Sequence, residues 1–146
     1  MMDMSIEIIA FKMLNIYKSK KIFDFSAEPL FGDASGRQYF RIVFGKESAV
    51  LMKVADIKPG EFGRGDSFND FIAIKNLFDM SGIKVPKIYA SIPEQKSLLL
   101  EDLGDTTLFK LIQSEKKNRL KHVRSAVDLL VKTQHHLYNR TFFDSP

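Results

Sequence analysis

The sequence predicts an α+β fold: a five-stranded antiparallel sheet with one inserted helix, preceded by an N-terminal helix and followed by two more. Three observations carry this. Between residues 28 and 54, short runs alternate apolar and polar residues and are separated by turn residues, which is the period of half-buried strands. Apolar residues recur at spacings of three and four before that region, again between 66 and 80, and once more beyond 105. Glu101-Asp-Leu-Gly-Asp105 marks the point where strand-like sequence gives way to sequence that is helical throughout.

Residues 3–19 form the first predicted helix, with Ile6, Ile9, Ala10, Met13, Ile16 and Tyr17 on one stripe and Ser19-Lys-Lys21 ending it in solvent. A short strand over Glu28–Phe31 leads into the small-residue turn Gly32–Gly36. The second strand, Gln38–Phe44, sets Phe40, Ile42 and Phe44 on one face and Tyr39, Arg41 and Val43 on the other. Gly45-Lys-Glu-Ser48 is turn sequence, and Ala49–Val54 is the third strand. Pro59-Gly60 and Gly63-Arg-Gly65 mark a loop. The next helix starts near Asp66 or Ser67, either of which suits its cap, and shows a broad apolar face from Phe68 to Met80. Ser81-Gly82 stops it, Val85–Ala90 is extended, Pro93–Lys96 is a turn, and Ser97–Leu100 is a short apolar strand. A short helix follows from Thr106 or Thr107 to about Gln113. A longer one runs from about Lys117 to Leu137, striped by Leu120, Val123, Ala126, Val127, Leu130 and Val131.

Composition bounds what such a fold does. The 146 residues suffice for one domain with a core and fall short of a usual two-lobed enzyme. Hydrophobic residues at 45% and charged residues at 27% are globular rather than disordered. The net charge of +4 suits an anionic ligand and is too weak and dispersed to point to nucleic acid. Cysteine is absent, which excludes disulfides, zinc–thiolate sites and thiol nucleophiles. No apolar run reaches the roughly 18 residues of a membrane span, and Asp3 and Glu7 stand where a secretion signal carries positive charge. A cytoplasmic protein is the expectation.

The residues that converge on chemistry lie around the first turn and the third strand. Backbone N–H groups of Ser35 and Gly36, the Ser35 hydroxyl and the Arg37 guanidinium can meet phosphate oxygens, although the same residues also suit an ordinary hairpin turn. Lys53 shares its strand face with Leu51 and Ala49. A lysine reaching α- and β-phosphates, with an apolar residue two positions earlier roofing a base, is the layout of a nucleotide site. Leu51 is that roof; the alternative is a strand-end lysine in water. Asp70, early in the following helix, is placed to orient Lys53, or else is a solvent-facing charge favoured by the helix dipole. In Leu98-Leu-Leu-Glu-Asp-Leu-Gly104 the Glu101 carbonyl and the Leu103 N–H are expected to read an adenine through the main chain. Tyr39 and Arg41 belong to the second strand and read as structural.

Other features carry less. His122, His135 and His136 lack metal-ligand spacing, because adjacent helical histidines point about 100° apart. No metal ligands are assigned. Lys116, Lys117, Arg119, Lys121 and Arg124 form a basic helical patch without interleaved aromatics, which reads as a solvated face.

Taken together, Gly-Asp-Ala-Ser-x-Arg-x-Tyr-Phe-Arg (Gly32–Arg41), Val50-Leu-Met52, Gly-x-x-Val-Pro-x-Ile-Tyr-Ala (Gly82–Ala90) and Leu-Leu-Leu-Glu-Asp-Leu-Gly-Asp (Leu98–Asp105) resemble the aminoglycoside phosphotransferase family. The resemblance is nearest to its branch of bacterial cell-wall amino-sugar kinases, which phosphorylate N-acetylmuramate or N-acetylglucosamine at the anomeric position. It covers about residues 5–140 and implies a protein-kinase-like small lobe, ATP with Mg2+, and phosphoryl transfer to a hydroxyl. Two departures stand out. Lys53 occupies a position where many members of that branch carry aspartate, and the family's catalytic His-x-Asp occurs nowhere in the sequence.

The resemblance therefore implies a nucleotide-binding lobe over residues 1–104. Residues 105–146 are expected to hold the hinge exit and the first helices of an incomplete second lobe. The chain reads as a truncated N-terminal part of a phosphotransferase acting on a small sugar, inactive alone, with base and Mg2+ ligands expected in residues it lacks. A rival reading is a stand-alone regulatory module without nucleic-acid or membrane partners. Its long last helix would carry an uncovered apolar stripe that favours homo-oligomerisation or a partner chain.

Overall fold

Capping and periodicity build the first element as expected. In the computed structural model, which describes residues 5–30, 36–55 and 67–143 (side chains through 138), α1 spans Ile6–Lys18. The Ser5 hydroxyl accepts the Ile8 N–H at 3.5 Å, and Ser19 closes the helix in a left-handed conformation. Ile9, Ala10, Met13 and Leu14 are fully buried. Ile16, expected on the buried stripe, is 57% exposed because it lies at the flank of the arc formed by the 9/13 and 10/14 rows.

Five strands follow: β1 (Ser26–Leu30), β2 (Arg37–Phe44), β3 (Glu47–Val54), β4 (Ile88–Ile92) and β5 (Ser97–Glu101). They form one antiparallel sheet in the order β1-β2-β3-β5-β4, with α2 (Ser67–Met80) inserted between β3 and β4. This order, with a leading helix and trailing helices, is that of a kinase-like small lobe. Gly45 makes the two-residue turn between β2 and β3 at φ 62°, a conformation glycine takes without strain. Phe44 pairs with Glu47 across that turn, and this register fixes every face of the meander.

Each face of the sheet has its own core. On one, Ile42, Phe44, Ala49, Leu51, Ala90 and Leu99 pack with the buried residues of α1. The rings of Tyr17 and Tyr89 stack there at 4.2 Å, joining α1 to β4. On the other face, Met52, Val54, Leu98 and Leu100 pack with Phe68 of α2, and Tyr39, Val50, Phe71 and Ile72 cover them in part.

The chain divides into two compact units, residues 1–72 with 86–102, and residues 73–85 with 103–146. The sheet unit ends at 102, and the later part of α2 belongs to the second unit. Exposure explains that later part, since Phe68 is the one buried residue of α2 while Ile74 and Met80 are 52% and 66% exposed. In the second unit α3 (Leu108–Ser114) starts at Thr107, whose hydroxyl accepts the Lys110 N–H, and α4 spans Arg119–Phe143 after a single 3-10 turn. The expected stripe on α4 is exposed, Leu120 and Leu130 among it. Among the described residues no helix is long and apolar enough to cross a membrane.

Candidate functional site

Strand period settles which side chains can act together. Residues directly opposite in an antiparallel pair project from the same face, so each row across the sheet is a set of neighbours. The row Gln38–Lys53–Ser97 lies on α1's side, as do Phe40–Leu51–Leu99 and Ile42–Ala49–Glu101. The rows Arg37–Val54, Tyr39–Met52–Leu98 and Arg41–Val50–Leu100 lie on α2's side.

This placement separates residues that the sequence had grouped. Lys53 and Leu51 do share a face, but α1 covers it and Leu51 is fully buried in its core. A roof needs surface to offer a base, and Leu51 has none here; it is a packing residue. Asp70 belongs to α2, on the other side of the sheet from Lys53. It is exposed, and no ion pair joins the two. Lys53 itself is partly buried.

The turn is stapled at its base. Gly36 has φ 69° and its carbonyl accepts the Ala55 N–H at 3.0 Å, so the end of β3 holds the start of β2. Among the described residues a methyl group on Gly36 would meet nothing within 4 Å, and a side-chain-bearing residue would be strained by the φ alone. Arg37 begins β2 beside it. Its Nε donates to the Ser67 hydroxyl at the start of α2 at 3.0 Å, and its guanidinium lies 5.5 Å from the Phe71 ring centroid. Gly36 and Arg37 thus set a left-handed glycine next to a fixed cation. Ser35 and Asp66 lie outside the described residues.

At the other end of the same face is an ion pair that sequence reasoning did not single out. Arg41 donates from Nε to Asp102 Oδ2 at 2.7 Å and from Nη2 to Oδ1 at 3.1 Å, a two-toothed fork. The Arg41 and Asp102 side chains are 19% and 6% exposed. The available signal was an arginine within an apolar strand and an aspartate closing an apolar one. Glu101, one residue earlier, is tied to the residue before β4: its N–H donates to the Lys87 carbonyl at 2.8 Å and its carboxylate accepts the Lys87 N–H at 3.1 Å. Leu103 falls in the second unit and is exposed.

Among the described residues no group of three or more histidine or acidic side chains is placed to hold a metal ion. Arg37 and Arg41 are four residues apart on one strand face, about 13 Å at the usual strand rise, and the Arg41 guanidinium is engaged by Asp102.

No family model matches the chain, and no solved structure matches it. Two curated proteins do. An N-acetylmuramate/N-acetylglucosamine kinase of Pseudomonas aeruginosa is 32% identical over 106 residues, covering 73% of this chain and 29% of its own length. An N-acetylmuramate/N-acetylglucosamine kinase of Caulobacter vibrioides is 30% identical over 114 residues, covering 62% of this chain and 31% of its own length. The chain spans about a third of the length of these curated relatives. It is, over most of its own residues, a partial kinase-like relative of two proteins named for amino-sugar phosphorylation.

Proposed function

We propose that this chain is the nucleotide-binding part of an ATP-dependent phosphotransferase whose acceptor is a hydroxyl of a small amino sugar. The observation that carries the reading is the similarity to two proteins named as amino-sugar kinases, in a chain whose five strands and inserted helix follow the order of a kinase-like small lobe. The Gly36 backbone beside the fixed Arg37 cation supports it, and so does a β5 exit where the Glu101 N–H donates to the Lys87 carbonyl and Arg41 grips the Asp102 side chain.

Each residue then has a task. The Gly36 backbone admits the phosphates closely, and Arg37 neutralises their charge. Lys53, near the end of β3, is the second candidate cation, reaching the phosphates from the α1 side of the sheet. The Glu101 carbonyl, at the end of β5, reads the base. Asp70 is a surface charge at the start of α2. Bound ATP supplies the phosphoryl group to be transferred. No step is assigned to magnesium, and no residue of this sequence is assigned as the catalytic base. Phosphorylation of a sugar is therefore proposed for a protein that also supplies that base, working in the cytoplasm where ATP is available.

Isothermal titration of the chain with ATP tests the reading. Binding with a dissociation constant of roughly 1 mM or tighter is expected, and no binding at that level would overturn it. Titrating Arg37→Ala and Lys53→Ala shows which face serves the phosphates. Losing one well-placed phosphate cation weakens binding about tenfold.

A further inference from the structure

We infer that a cavity at the Gly45 end of the β2–β3 hairpin is a second anion site, taking a phosphate ester that carries an apolar ring. The cavity measures about 470 Å³ and lies wholly within the sheet unit. Three stretches of chain wall it: the end of α1 with Lys18, residues 20–24 leading to β1, and the turn 44–47. From Arg37 to Phe44, β2 covers about 23 Å at the usual strand rise. The cavity is therefore separate from the Gly36–Arg37 turn.

Its walls are fixed, while most of its cations are not engaged. The Ile22 N–H donates to Asn15 Oδ1 at 2.8 Å, which ties residues 20–24 to α1, and the Phe23 ring lies 5.3 Å from that of Phe11. Gly45, at φ 62°, shapes the two-residue turn that carries Lys46. Lys18 is taken up by Glu47 and lies 4.4 Å from the Tyr17 ring centroid. Lys20, Lys21 and Lys46 are exposed, and among the described residues no ion pair engages them. These three ammonium groups, from opposite walls, share the cavity with one unpaired carboxylate, Asp24.

That excess of positive charge selects a multiply charged anion. A lysine ammonium is a point charge that suits phosphate, and a concave surface of one sign concentrates its field on the ligand. A phosphate ester carries close to two charges at neutral pH, and a carboxylate one. Phe23 supplies the other half of the chemistry. It is 73% exposed on the cavity wall, so its ring offers a flat apolar surface to the part of the ligand beyond the phosphate.

The test compares phenyl phosphate with methyl phosphate, which has the same charge and no ring, by following backbone amide NMR signals of the full chain. Both are expected to shift residues 20–23 and 45–46 saturably, phenyl phosphate binding about threefold tighter. Lys21→Gln with Lys46→Gln should weaken both about tenfold. Phe23→Ser should abolish the preference for phenyl phosphate and leave methyl phosphate unchanged. Lys110→Gln with Lys117→Gln removes the same charge from exposed positions of the second unit and should change nothing. An equal loss in that control means diffuse attraction to a basic chain and overturns the inference. A phenyl preference that survives Phe23→Ser overturns it too. Shifts confined to Gly36 and Arg37 end this inference and leave the nucleotide reading standing. ATP that fails to bind, while phenyl phosphate shifts Lys21 and Lys46, ends the nucleotide reading alone.

Discussion

The two faces of the sheet are built for different work. The face toward α1 is closed: Ile9, Met13, Leu14, Ile42, Leu51 and Leu99 are all fully buried. The face toward α2 is closed only in part, by one buried helix residue, Phe68, and it carries Arg37, Tyr39 and Arg41 between its apolar rows. One face is a core, and the other combines a smaller core with fixed cations. A sheet with one fully packed face has a rigid base from which the second can present polar groups at defined positions. That division sets the fixed arginines on α2's side and Lys53 on α1's.

The largest effect expected from this comparison is at Leu51. Leu51→Ala should cost about 2–5 kcal/mol in urea unfolding, the range for truncating a fully buried leucine, while ATP affinity of the folded fraction stays the same. If stability holds and ATP affinity falls instead, Leu51 is a roof and the assignment of the two faces is reversed. Next comes Phe68→Ala, expected to cost about 3 kcal/mol. That is toward the low end for a phenylalanine, because Tyr39, Val50, Phe71 and Ile72 in its cluster are only partly covered. Met80→Ala, at an exposed position of the same helix, should stay within about 0.5 kcal/mol. Equal losses at 68 and 80 would mean that α2 is packed along its whole length.

The smallest effect concerns pH and the closed face. A hydrogen bond to Glu47 raises the Lys18 pKa above its usual value, and burial raises that of Tyr89. Both groups hold their protons more tightly when folded. Their contribution is fully present below the unfolded values near 10 and is lost as pH rises through the folded ones. Thermal melts between pH 9 and about 11.5 should fall in midpoint. Lys18→Met should flatten part of that decline and leave the Tyr89 part. An unchanged slope in the variant would remove the Lys18–Glu47 pair from the account.

Much of this molecule was legible before its structure. Alternation in Gln38–Phe44 assigned Phe40, Ile42 and Phe44 to one face and Tyr39 and Arg41 to the other, and the cores follow that division. Period-2 sequence reports faces directly, because the backbone leaves no other choice. The helices were found for the same reason, although Ile16 and Leu14 changed places and Ile74 and Met80 proved exposed. Helical periodicity tells where an apolar arc lies, not how much of it a neighbour covers. Long-range pairs were illegible: Arg41 and Asp102 are separated by 61 residues, and nothing local to either announces the other.

By itself the sequence determined the element order, the sheet's two sets of side chains and the likeness to amino-sugar kinases, because strand period, turn residues and motif order are local properties of the chain. Only the tertiary structure decided which helix covers which face, and with it the burial of Leu51, the separation of Lys53 from Asp70, and the fork between Arg41 and Asp102. Those outcomes depend on how α1 and α2 pack and on which strands lie side by side. Packing of that kind is set by the summed burial of many residues far apart in sequence, so no single motif records it.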